Sequence, residues 1–219
     1  MLKTHLDHIV IAAANLAEGA AYAKSILGVE VPDGGEHLMM GTHNKVMRLG
    51  NDVYLEIIAI HPKMLGPTHP RWFGLDDPAV VASLENSPRL ITWAINTDNL
   101  AALCRQSEIS VGSVHQASRD DLRWKVALTD DGRLSAAGFF PLCIQWQIDF
   151  HPSEKMADLG CRLEGIELYH PYPKWLQSVL ASAGAAHLVN IHPSDSANPV
   201  RIDAIISTPG GVATLSSVI

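Results

Sequence analysis

The chain repeats one short succession of elements, and that repeat limits its fold more than any other feature. ANL at 14–16 returns as DNL at 98–100, and AIHP at 59–62 returns as DFHP at 149–152. Around the first pair, residues 5–13 (HLDHIVIAA) are compact, apolar and β-branched, as a buried strand is. Asn15 offers a helix N-cap, Leu16, Ala20, Ala23 and Leu27 fall at helical spacing, and Gly28 supplies the stop. A short strand at 29–31 meets the breaker Pro32-Asp33-Gly34-Gly35, and strands at 44–49 and 53–60 flank Gly50-Asn51-Asp52 as a hairpin. The order is βαβββ.

The order then recurs. After a Pro-rich connector at 61–88, in which Asp77-Pro78 starts one short helix, strands are predicted at 89–95, 111–115, 123–128 and 142–150, with a helix at 99–106. A third unit has a strand at 163–169, a helix at 173–183 and strands near 187–191, 200–206 and 212–217. The expected units are 1–60, 61–88, 89–152 and 162–219, with a period of roughly 70–85 residues. Repeated βαβββ units define an α+β fold. Each makes a four-stranded sheet with a helix on one face, so the other faces pair into a curved sheet or half-barrel around a trough. An uncovered module edge is closed by the third unit within the chain or by a second copy, as a homodimer.

Strand parity selects the residues that face the trough. In LDHIVI, Ile9 and Ile11 point one way and Leu6, His8 and Val10 the other; the helix takes the more apolar set. In VYLEIIA, Leu55, Ile57 and Ala59 go under the helix and Tyr54, Glu56 and Ile58 line the trough. A His and a Glu on one sheet face are suitable ligands for a divalent metal, and their side chains should approach within about 5 Å. The plain alternative is a semi-buried histidine hydrogen-bonded to its carboxylate neighbour.

Charge and cysteine usage narrow the partners. With 16 Lys+Arg against 23 Asp+Glu the net charge is −7, which argues against a general nucleic-acid or anionic-membrane binder. No apolar stretch is long enough for a spanning helix, and the N-terminus lacks the pattern of a signal peptide. Three widely spaced cysteines, Cys104, Cys143 and Cys161, fit buried thiols in a reducing, cytoplasmic setting. Eleven histidines favour metal or proton chemistry.

LDHIVIAAANL, GGEHLMMGTHN (34–44) and YLEIIAI (54–60) together resemble the glyoxalase-like branch of the vicinal oxygen chelate superfamily. The resemblance covers the first unit well and the second more loosely, through RLITWAI (89–95) and PLCIQWQIDFHP (141–152). It implies paired βαβββ modules and a divalent metal that chelates vicinal oxygens of a small-molecule substrate. The first-strand ligand falls on His8 and the fourth-strand carboxylate on Glu56. A third ligand would come from His37 or His43, both in the segment before the hairpin, and His37 is otherwise an acid/base group. The second unit departs from this pattern: the Asn99-Leu100 register puts Thr92 opposite His8, and the His151-Pro152 register puts Trp146 opposite Glu56.

Further candidates follow. Gly34, Gly35 and Gly41 allow close backbone approach and would set His37 and Asn44 at the trough mouth. Trp146 would wall an apolar pocket, Trp72 would act as a lid, and an inward Arg48 would clamp a carboxylate. Arg119-Asp120-Asp121 reads as a turn. The expected role is a metal-assisted lyase, isomerase or dioxygenase, with Glu56 as ligand or base. The alternative is a non-catalytic small-molecule binder using the same trough.

Overall fold

The structure is a computed structural model and describes residues 2–218. The first unit runs β1 (Thr4–Ala12), α1 (Leu16–Leu27), β2 (Asp33–His37), β3 (Thr42–Gly50) and β4 (Val53–Ile60). After α2 (Pro78–Asn86) the second runs β5 (Arg89–Thr97), α3 (Leu100–Gln106), β6 (Ser113–Arg119), β7 (Leu122–Leu128) and β8 (Leu142–Trp146). The helix starts follow their caps. Asn15 Oδ1 accepts from the Glu18 N–H, Asn99 Oδ1 from the Ala102 N–H, and Asp77 caps α2 with Pro78 in its first turn. Gly28 closes α1 at φ 72°, a left-handed conformation that favours glycine.

All eight strands form one sheet in the order β2-β3-β4-β1-β5-β8-β7-β6. β1 pairs in parallel with β4, β5 pairs in parallel with β8, and β1 and β5 meet antiparallel at the centre. The outermost strands, β2 and β6, approach each other, so the sheet curls into a half-barrel whose edges nearly touch. This is the α+β architecture that the repeat implies.

Three strands are displaced from their sequence expectations. The strand after α1 is β2 at Asp33–His37, not residues 29–31. Val31 is instead a buried connector, and the β2–β3 pairing is irregular across Gly34 and Gly35, between Asp33 opposite Lys45 and Glu36 opposite His43. β6 begins two residues later than expected and extends to Arg119, and β8 ends at Trp146 rather than at 150.

The C-terminal unit has the expected elements in another arrangement. β9 (Arg162–His170), α4 (Pro173–Ser182), β10 (Asn190–Pro193), β11 (Arg201–Thr208) and β12 (Gly211–Ser216) form a separate sheet in the order β10-β9-β11-β12. Here the strand after the helix pairs directly with the first strand, in parallel. In the other units that parallel partner is the last strand. The sheet lies over the helix-bearing face of the half-barrel. Ile166, Leu168, Ile202 and Ala204 join one apolar core with Ile9, Ile57, Ala23 and Leu103. A second core, with Val10, Ile58, Phe73, Trp124, Val126 and Ile144, lies on the opposite face. The third unit therefore caps the helices and leaves the concave face as the trough.

Candidate functional site

A β-bulge builds the base of the trough. The β1–β5 register slips between Leu6, opposite Ile95, and His8, opposite Ala94, so Asp7 is an extra residue in β1. The alternation expected for Leu6 fails for that reason: Leu6 packs with the helix-side core, while Val10 joins the trough-side core. His8 remains on the trough face and lines the cavity.

The fully buried Asp7 is satisfied by four donors. Its Oδ1 faces His8 Nδ1 at 2.6 Å. Its Oδ2 accepts from Trp146 Nε1 at 2.7 Å and Asn96 Nδ2 at 3.0 Å, and faces His151 Nε2 at 3.0 Å. Burial alone would raise the Asp7 pKa; the hydrogen bonds to His151 and His8 outweigh it and hold the carboxyl well below the usual carboxylate range. An ionised Asp7 accepts from His8 Nδ1–H, which orients the ring and points Nε2 at Glu56. Tyr54 stacks on the His8 ring at 4.5 Å. Burial, with the Asp7 and Glu56 charges, raises its pKa well above 10, so the phenol keeps its proton.

His8 Nε2 lies 3.7 Å from Glu56 Oε2, with both side chains buried. The other Glu56 oxygen, Oε1, accepts from Asn44 Nδ2 at 2.6 Å. Asn44 Oδ1 in turn accepts from the Gly35 N–H at 2.8 Å and from Arg119 Nη1 at 3.2 Å. The paired glycines make room for this chain of contacts. A Cβ at Gly34 would stand 2.2 Å from Asn44 Oδ1, and one at Gly35 would stand 2.8 Å from Arg119 Cδ. His37 is 5% exposed; its Nδ1 faces Thr42 Oγ1 at 3.1 Å and its Nε2 faces Arg119 Nη1 at 3.3 Å. Its ring packs edge-on against Trp72, with centroids 4.9 Å apart. Burial is the main cause that lowers its pKa to about 4, with Arg119 adding to the fall and Glu56 opposing it.

The walls are apolar and aromatic: Trp72, Phe73, Trp124 and Trp146 line the cavity with Val126, Leu142 and Ile144. Trp146 and Trp72 line it, whereas Trp93 and Trp175 do not. Arg48 is corrected. It does not line the trough, because its Nε donates to the Gly50 carbonyl and its Nη2 to Asn51 Oδ1 in the β3–β4 turn. His37 lines the cavity with His8 and Glu56, but its ring nitrogens face Thr42 and Arg119, and among the described residues no three His, Cys, Asp or Glu side chains gather as a metal cluster.

The second half offers no matching ligand pair. Glu56 lies across from Val10, and the Asn15/Asn99 register equates Val10 with Ala94, which lies across from Leu142. Leu142, rather than Trp146, therefore takes the Glu56 position. Thr92 is buried and donates to the Gly138 carbonyl. Three site residues escaped the sequence reading. Asp7 was hidden by the bulge, Arg119 by its place before a turn, and His151 by its distance from β1. The acid beside His8 in LDH was the one visible signal.

The geometry is a curled sheet of two βαβββ halves with a His–Glu pair facing inward. The glyoxalase-like domain model matches residues 6–184, and the chain belongs to that family. No curated protein matches the chain in sequence. Among solved structures, a hypothetical protein from Staphylococcus aureus is similar at 13% identity and TM-score 0.57, over 98% of this chain and 85% of that one; it supports the fold. Weaker likenesses are methylmalonyl-CoA epimerase from Mycobacterium tuberculosis (16% identity, TM-score 0.40, 64% and 85% coverage) and a mutant 4-hydroxymandelate synthase from Streptomyces coelicolor (15%, 0.45, 99% and 63%). No helix among the described residues is long and apolar enough to cross a membrane.

Proposed function

We propose that the chain is a metal-assisted lyase, isomerase or dioxygenase acting on a small oxygenated substrate in the trough. The observation that supports this best is the pair of free donor atoms, His8 Nε2 and Glu56 Oε2, 3.7 Å apart, with each partner atom already tied down. Two ligands about 2.1 Å from one ion at a tetrahedral angle stand about 3.4 Å apart, so the pair fits a shared divalent ion with a small adjustment. Two protein ligands leave positions open for substrate oxygens. When bound, such an ion supplies Lewis-acid polarisation of those oxygens.

The chain's own residues supply the rest. Asp7 orients His8, and Asn44 orients Glu56. His37 is neutral at neutral pH and its Nε2 lone pair accepts from Arg119 Nη1, so it serves as an acid/base group only when a substrate displaces that contact. The indoles and Phe73 wall the inner chamber around His8 and Glu56 against water.

Divalent-ion titration of wild type, Glu56→Gln, His8→Ala and Trp146→Ala, each checked for folding, tests the reading. The expected result is near-stoichiometric binding by wild type, a loss of tenfold or more in the first two variants and little change in the third. Folded Glu56→Gln with wild-type affinity would defeat the metal mechanism. A second reading, a non-catalytic binder, is favoured by the absence of ligands at Thr92 and Leu142. In that case Trp146→Ala costs ligand affinity on the order of 1–3 kcal/mol while Glu56→Gln costs little.

A further inference from the structure

Arg119 is the unexplained charge of the trough. It ends β6, the far edge of the half-barrel, yet it reaches across to β2 and β3. No carboxylate lies within ion-pair distance of it among the described residues, although its neighbours include the Asn44 that holds Glu56. Only Nη1 has protein partners, Asn44 Oδ1 and His37 Nε2. The Nε and Nη2 donors, the side-on fork of the guanidinium, have none among the described residues. That fork matches the two oxygens of a carboxylate. The seat is a made one: any side chain at Gly35 would strike Cδ and Nε of the arginine.

Its position separates two spaces. The inner chamber, with His8, Glu56 and His37, has room for about 40 Å³, which suits a headgroup of only a few atoms. The outer one, about 350 Å³, also has Arg119 in its wall and runs out past Phe150 and Met156. Asp120 and Asp121 line that outer space with Lys155, and Asp33 is paired with Lys45. With Glu56 inside and these acids at the rim, a dianion such as phosphate meets more repulsion than a single guanidinium offsets.

We propose that Arg119 is an anion clamp, and that the ligand of the trough is a monocarboxylate whose charged end lies at Arg119 and whose apolar body occupies the outer chamber. The proposal rests on the reading of the trough as a substrate chamber, but not on the metal.

The probes are 3-phenylpropionate and its uncharged amide, titrated with excess chelator so that no metal can hold the carboxylate. Tryptophan fluorescence reports binding at the charged end, since Trp72 and Trp124 line the inner chamber, which shares Arg119 with the outer one. Wild type is expected to bind the acid at least tenfold tighter than the amide. Arg119→Gln should bring the two within about threefold by weakening the acid alone, and Arg119→Lys should retain part of the preference. If Arg119→Gln does not fold, Gly35→Ala, which displaces the guanidinium, should give the same loss. Wild type that binds no acid saturably, or binds acid and amide alike, overturns the clamp. So does a folded variant that keeps the full preference. A Glu56→Gln protein with unchanged metal affinity would defeat the metal mechanism and leave this result standing, so the two failures are distinguishable.

Discussion

Replacing His37 with Gln should flatten the acid limb of the protein's stability. The His37 side chain is buried against Trp72 and faces Arg119, and its pKa falls from an ordinary 6.5 to about 4 in the folded protein. Between those values the unfolded chain binds a proton at this position and the folded chain does not. Stability therefore rises with pH across the window and is lost as pH falls from 6.5 towards 4. At about 1.4 kcal/mol per pKa unit, a displacement of this size is worth about 3 kcal/mol over the whole window. About 2 kcal/mol of it is lost by pH 5. Other histidines with lowered values, His43 and His170, titrate in wild type and variant alike and cancel in the difference. Urea unfolding of both proteins at half-unit steps from pH 7.5 to 4.5 measures that difference. The wild type should lose about 2 kcal/mol more than His37→Gln on going to pH 5. Parallel curves would refute the buried, neutral state of His37.

Asp7→Ala leaves Trp146 Nε1, Asn96 and two imidazoles without their shared acceptor, and should cost about 3–5 kcal/mol at pH 7 by urea unfolding. Gly34→Ala places a methyl 2.2 Å from Asn44 Oδ1; the overpacking should cost about 1–3 kcal/mol of stability and, by freeing Glu56, weaken divalent-ion binding in the same titration. Leu142→Glu puts a carboxylate at the position related to Glu56, and should tighten divalent-ion binding in protein that remains folded, as read by calorimetry. Burial raises the Cys143 thiol well above its ordinary range, so it should react with a thiol reagent only as fast as the native state opens, checked by adding low urea.

The parts of the fold that were legible from sequence are those governed by local rules. Asn15 and Asp77 announced two helix starts, and the parity of Tyr54, Glu56 and Ile58 gave the trough face of β4. What was not legible depends on pairing between distant segments. The bulge at Asp7 exists only against β5, so a strand read alone gives Leu6 the wrong face. Arg119 enters the site because a curled sheet brings its two edges together, and nothing in Arg119-Asp120-Asp121 speaks of curvature. The C-terminal unit carries the right elements in the right order, but strand order is set by what the sheet must cover, here the core shared with Ala23 and Leu103.

The meeting of the two sheet edges has a bearing on how the molecule behaves on dilution. His8, Glu56 and Asn44 come from one half of the barrel and Arg119, Trp124 and Trp146 from the other, and a single chain carries both. Both walls of the trough thus come from one chain, with its halves held together by the central β1–β5 pairing. Binding per chain should stay constant from micromolar to nanomolar protein, whatever copies of the chain do to one another, because the local concentration of one half for the other is fixed by covalent connection.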